Sequence, residues 1–189
     1  MAFLQPARIL SLLPDILKLR LEKTCLYPII DRIRIPELIE KSAEVLADMQ
    51  DQSAMLYFLR DNDSISKSAY LLTLKAKALC REENAIELLL NFMDNYSSRV
   101  NMAEFRSFGE SKYPDLMLEL YQKSDRFDEL LSASFKFSNF YNLIYYLITC
   151  KDPVLWKKAL AVDESKELFQ SVMCHDKGLL ILSRLCKTL

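Results

Sequence analysis

The stretch Asn139-Phe140-Tyr141-Asn142-Leu143-Ile144-Tyr145-Tyr146-Leu147-Ile148-Thr149-Cys150-Lys151-Asp152-Pro153-Val154-Leu155-Trp156-Lys157-Lys158-Ala159-Leu160 decides the fold class. Leu143, Tyr146 and Leu147 follow Asn139 at offsets of four, seven and eight residues, and Trp156, Ala159 and Leu160 follow Asp152 at the same offsets. These offsets share one face of an α-helix. Asn and Asp suit the N-cap, because their side-chain oxygens accept first-turn amides that have no partner inside the helix. Pro153 adds a second start signal, since its fixed φ fits the first helical position and its missing N–H is not needed there. The stretch reads as two short amphipathic helices related by a shift of thirteen residues.

The register extends in both directions. Ser165 and Gly178 continue the cap column, Phe169 and Leu182 the first apolar column, Val172 and Leu185 the second, and Met173 and Cys186 the third. Upstream, Met117 and Leu130 and then Leu120 and Ala133 keep the spacing, although Tyr113 and Arg126 are not capping residues and Asp125 suits the cap of its helix better. One short helix plus its turn per unit implies an antiparallel hairpin every ~26 residues, within the period range of helical solenoids. The N-terminal half does not hold this register, so its hairpins are expected to be longer or less uniform.

Helical periodicity also covers the remaining segments, as in Ile86, Leu89, Leu90 and Met93, or Leu116, Leu120 and Tyr121. No run alternates apolar and polar residues between glycine turns, so the expected fold is all-α. Pro14, Pro28, Pro36, Pro114 and Pro153 read as helix starts. With the polar clusters Arg60–Ser64, Arg81–Asn84 and Tyr96–Asn101 they divide the chain into about a dozen or more helices of ~8–16 residues. The charge-free stretch Phe137–Cys150 reads as a buried helix, shorter than the ~20 residues that span a bilayer.

Composition narrows the chemistry. The 189 residues carry 25 Lys+Arg against 26 Asp+Glu, with neither sign collected into a stripe, so the footprint of a nucleic-acid binder is missing. Two glycines, Gly109 and Gly178, cannot build phosphate-cradling loops or nucleophile elbows. One histidine, His175, removes most imidazole acid–base schemes and histidine-rich metal sites, and it reads as a C-terminal capping residue. Cys25, Cys80, Cys150, Cys174 and Cys186 form an odd set without C-x-x-C and suit reduced, buried thiols. Cys174, His175 and Cys186 lack a fourth ligand and a common zinc spacing. Met-Ala-Phe-Leu-Gln-Pro at the N-terminus has no basic region, which points to a cytosolic chain without a secretory signal.

Glu82-Glu83 reads as a solvated turn rather than an acid–base pair. The aromatic group Phe135, Phe137, Phe140, Tyr141, Tyr145 and Tyr146, with only Lys136 among it, reads as core and inter-hairpin packing rather than a base-stacking surface. No catalytic residue, cofactor site or metal site is expected.

Lys151-Asp152-Pro153-Val154-Leu155-Trp156, with the Tyr/Leu-rich helix before it and Lys157-Lys158-Ala159-Leu160 after it, resembles the K-D-P-x-L-W segment of clathrin heavy chains. The likeness extends upstream through Ser98-Arg99-Val100, Tyr113-Pro114-Asp115-Leu116, Tyr121, Phe127-Asp128-Glu129-Leu130-Leu131 and Phe140. Ile35-Pro36-Glu37-Leu38-Ile39-Glu40 and Leu56-Tyr57-Phe58-Leu59 are similar to a preceding repeat. Asn101-Met102-Ala103-Glu104-Phe105-Arg106 departs from the family, and the likeness fades after Leu160.

The resemblance implies an α-solenoid of short antiparallel hairpins, with residues 1–97 less regular and 98–189 the best-matching repeat. It further implies a single solenoid segment over 1–189 that belongs to a longer chain, namely a leg of the clathrin heavy chain. Its motif residues Asp152, Pro153, Leu155 and Trp156 would be structural. A leg has no active site and needs no cofactor. It contributes to polyhedral lattices on coated pits and vesicles through contacts with other legs, in the cytoplasm and peripheral to the membrane, without inserting into it or binding nucleic acid. Light chains belong to the full-length family protein rather than to this segment. A clathrin-repeat subunit of an endolysosomal tethering complex and a free-standing all-α regulator are the rival readings.

Overall fold

A computed structural model describes residues 5–49, 51–60, 63–162 and 165–174, leaving aside the side chains at 63, 165, 169, 173 and 174. The described residues form thirteen α-helices and no strand, so the protein is all-α. In chain order these are α1 (Pro6–Lys18), α2 (Lys23–Ile33), α3 (Ile39–Asp48), α4 (Gln52–Phe58), α5 (Asp63–Lys67), α6 (Ala69–Leu79), α7 (Ala85–Tyr96), α8 (Met102–Lys112), α9 (Pro114–Lys123), α10 (Phe127–Phe137), α11 (Tyr141–Cys150), α12 (Pro153–Leu160) and α13 (Ser165–Cys174). Lengths run from five residues in α5 to thirteen in α1, and all but α4 and α5 fall in the range expected from the sequence.

The chain divides into two compact units, 1–109 and 110–189. In the first, α1 packs on α2 and α3, α4 on α2, α3 and α6, and α6 on α5 and α7. Leu13, Ile30, Ile33, Leu46, Phe58, Leu59 and Leu71 are completely buried there. A fully buried side chain of this size contributes ~1.5–3 kcal/mol by leaving water, which is why helices too short to persist alone hold together. In the second unit α9, α10 and α11 pack on one another, and α12 packs on α13.

The apolar columns are core. Met117, Leu130 and Leu143 are completely buried, Trp156 is 4% exposed, and Leu120, Ala133, Ala159 and Val172 line up behind them as buried residues. Tyr146 and Leu160 are only half-buried. Gly178, Leu182, Leu185 and Cys186 lie outside the described residues, as do the side chains of Ser165, Phe169 and Met173. The backbone repeats with the same period: Asp125, Ser138 and Lys151 each take the left-handed conformation, at φ 55°, 51° and 53°. After such a turn Arg126 N–H donates to Tyr121 O and Asn139 N–H to Ser134 O, both at 3.0 Å, which satisfies terminal helix carbonyls in the Schellman manner.

Several expectations are corrected. Pro14 and Pro28 do not start helices but lie inside α1 and α2. Ile9, Leu10, Leu13 and Leu17 form one buried stripe that runs past Pro14, and its burial outweighs the amide that proline removes. Asp125 does not cap α10. It occupies the left-handed turn, and Arg126 holds the cap position without a side-chain bond. Asn139 precedes the cap residue Phe140, and its Oδ1 accepts weakly from Tyr141 N–H at 3.4 Å. Ser165 is the first residue of α13 instead of its cap. Phe137–Cys150 is not one buried helix, since Ser138 ends α10 and α11 starts at Tyr141, with Tyr141 and Tyr145 68% and 51% exposed. The charge-free run therefore begins on the last residue of α10 and continues, past a left-handed turn, into α11, so it is continuous in composition but not in backbone direction.

Candidate functional site

Asp152 caps α12 as its residue type predicts, its Oδ1 accepting Val154 N–H at 2.8 Å. Lys151 reverses the chain before it, its N–H donating to Leu147 O at 3.2 Å, and Pro153 is the first helical residue. This start turns Trp156 inward, leaves Leu155 half-buried and puts Val154 outside, 68% exposed. Lys158 on the outer face pairs with Asp128 of α10 at 2.5 Å and lies 5.9 Å from the centre of the Phe127 ring. The four motif residues supply a cap, a helix start, a partly buried contact and a buried ring.

The first unit contains a polar cluster that the sequence did not single out. Tyr57 OH donates to Asp31 Oδ2 at 2.9 Å, and Arg60 Nη2 donates to Asp31 Oδ1 at 2.5 Å. Arg34, with 9% of its side chain exposed, donates from Nη2 to Arg60 O at 2.8 Å. Tyr27 stacks on Tyr57 with ring centres 3.6 Å apart and planes at 10°, and the Arg60 guanidinium carbon lies 3.9 Å from the Tyr57 ring centre. Partial burial pushes the Asp31 carboxyl upward, but the Arg60 and Tyr57 hydrogen bonds win and hold it below the usual carboxylate range. Burial first, then the Asp31 bond, raises the Tyr57 phenol. Burial lowers Arg34, reinforced by Arg60 beside it. The residues tie α2 to α4 and the turn after it.

One signal for this cluster was available, namely the hairpin period. Most polar links joining different helices span 24 to 33 residues of sequence: Asn139 to Asp115 across 24, Arg34 to Arg60, Gln52 to Ala78, Asp31 to Tyr57 and Lys136 to Glu110 across 26, Lys77 to Glu104 across 27, Asp31 to Arg60 across 29, Lys158 to Asp128 across 30 and Arg99 to Ser66 across 33. The first unit lacks the thirteen-residue apolar register, yet its polar contacts between helices chiefly join residues 26 to 33 apart.

The other sequence candidates are scattered. Glu82 and Glu83 lie in the link between α6 and α7, where Glu82 Oε1 accepts from Gln52 Nε2 at 2.8 Å. Phe135 and Phe140 pack edge to face at 5.0 Å as core aromatics should, whereas Tyr141 and Tyr145 correct the packing expectation by facing outward. Cys80 is buried, with its thiol pushed up to about 11 by burial and its Sγ donating to Ala76 O, which makes it a poor nucleophile. Cys25 and Cys150 are exposed, so the expectation of buried thiols fails for them: their positions are on outer helix faces. The Tyr146 phenol rises to about 12 through burial, hydrogen bonding to Cys150 and the nearby Asp125 charge. His175, Cys186 and the Cys174 side chain lie outside the described residues. No three His, Cys, Asp or Glu side chains among the described residues are grouped to hold a metal ion, and no described helix is long and apolar enough to cross a membrane.

The geometry defines an all-α protein whose most developed side-chain constellations join helix to helix. Comparison with known proteins adds no relative: no protein family, curated protein or solved structure matches the chain.

Proposed function

We propose that the chain is a structural coat-protein segment, a leg of a clathrin heavy chain whose stacked hairpins contribute to polyhedral lattices on coated pits and vesicles. The reading is non-enzymatic, with other legs as partners. The observation that carries it is the recurrence of one short-helix unit: buried Met117, Leu130, Leu143 and Trp156 at thirteen-residue steps, accompanied by left-handed turns at Asp125, Ser138 and Lys151. Repeats of this kind bury their faces only against neighbours, as an α-solenoid does, and leave long polar surfaces for contacts that are individually weak and strong in number. Inter-helix polar links that chiefly span 24 to 33 residues, about the reach of one hairpin, are in keeping with such stacking. In cells, the fluorescently tagged full-length protein is expected at coated pits, and the purified protein is expected to assemble into polyhedral cages visible by electron microscopy. A diffuse distribution with a purified chain that never enters a cage overturns the proposal.

A further inference from the structure

In the second unit the outer face of α11 carries the two most exposed aromatic side chains among the described residues, Tyr141 and Tyr145, with exposed Thr149 one turn further on. Offsets of four and eight place the three on one face, and half-buried Ile148 lies beside Thr149 on it. No charged residue occurs from Phe137 to Cys150, so α11 itself is free of charge. The buried centres of protein interfaces have this composition, depleted in charge and enriched in tyrosine, whereas a helix face that only meets water is ordinarily charged. Thr149 Oγ1 donates its one hydrogen to Tyr145 O at 2.8 Å, so toward the outside it can only accept. The Tyr141 and Tyr145 hydroxyls make no hydrogen bond among the described residues and are free to donate.

We infer that this face is a contact surface for a second copy of the chain: two α11 helices pack antiparallel about a two-fold axis at Tyr145, and each Tyr141 hydroxyl donates to the partner's Thr149 Oγ1. The pattern of side chains argues for a like partner. In an antiparallel pair centred on one residue, each position meets the one equally far beyond the centre. Tyr145 therefore meets its own copy, while Tyr141, four residues before it, meets Thr149, four residues after it, so a donor faces an acceptor on both sides of the axis. Neither α11 brings a charge that pairing would strand without a counter-ion, and a two-fold contact closes on itself instead of growing into a fibre. One helix face is small for an interface, so the contact is weak alone, a strength suited to an assembly in which many such contacts act together. The inference rests on the coat reading in taking the second copy to be a neighbouring leg.

Sedimentation equilibrium of the full chain up to millimolar concentration tests it. A monomer–dimer equilibrium with a Kd of about 0.1–1 mM is expected. Tyr145→Glu and Tyr145→Lys each set like charges across the axis and should leave monomers, and an equal mixture of the two variants should associate again, because opposite charges then meet. Tyr141→Phe should weaken the dimer at least ~3-fold by removing two symmetric hydrogen bonds. Tyr145 is exposed, so both charged variants should unfold in urea as the parent does; where one does not fold, the Tyr141→Phe loss serves instead. A parent that stays monomeric at millimolar concentration, dimers that survive Tyr145→Glu, or charged variants that do not associate when mixed overturn the inference. Cage assembly separates it from the coat reading. Cages that form equally well from the parent and from Tyr145→Glu overturn this contact and leave that reading standing, whereas a parent that dimerises through Tyr145 but never enters a cage overturns the coat reading and leaves the contact.

Discussion

The Tyr57 hydroxyl donates to Asp31 Oδ2 at 2.9 Å, joining residues 26 apart in sequence. The Arg34 guanidinium reaches Arg60 O over the same separation. Such links tie a helix to its counterpart one hairpin further on, so mutations that weaken them should loosen neighbours without unfolding the apolar core of either.

Acid should reveal the Asp31 cluster. A carboxyl held below its ordinary value of 3.8 contributes stability that is present above that value and lost as pH falls through the lower, folded value. Asp31→Asn is therefore expected to destabilise at neutral pH and to flatten the loss of stability below about pH 4. Because Asp31 and Arg60 are 42% and 39% exposed, the neutral-pH loss should stay below about 1 kcal/mol. Urea unfolding of both proteins from pH 2.5 to 7 measures it, and parallel curves would contradict the assignment.

Trp156 offers the largest single effect. Its ring is 4% exposed, and truncation of a buried aromatic to alanine costs ~3–5 kcal/mol. Chemical denaturation of Trp156→Ala should show that loss; a value below ~1 kcal/mol belongs to surface substitutions and is incompatible with this burial.

At Lys151 the expected change is a gain. A non-glycine residue in the left-handed region carries a cost of roughly 1–2 kcal/mol, and glycine returns ~0.5–1 kcal/mol of it as extra unfolded-state entropy. With φ at 53° and its side chain exposed, Lys151→Gly should stabilise by about 0.5–1 kcal/mol, read as a higher urea midpoint at unchanged slope.

Pro14 interrupts the ladder of α1 between buried Leu13 and Leu17. Pro14→Ala restores a donor and relieves the ring clash, for an expected gain of ~1–3 kcal/mol. Amide hydrogen exchange should show slower opening of α1 in the variant; unchanged protection would mean that the helix already accommodates the proline without loss.

What the sequence by itself determined is the all-α class, the thirteen-residue apolar columns and the Asp152–Pro153 helix start, because side-chain spacing and caps act within one turn of backbone. It also identified Trp156 as core before any neighbour was known. The tertiary structure alone decided that Pro14 and Pro28 stay inside helices, since only packing against other helices supplies the burial that outweighs a lost amide. It likewise decided that Phe137–Cys150 breaks at Ser138 and that Tyr141 and Tyr145 face outward. The cluster of Asp31, Arg34, Tyr57 and Arg60 and the bonds of Gln52 Nε2 to Ala78 O and Glu82 Oε1 belong to the same group. Each depends on partners brought from about 26 residues away, and a contact at that range is set by how helices stack rather than by any local preference of the residues that make it.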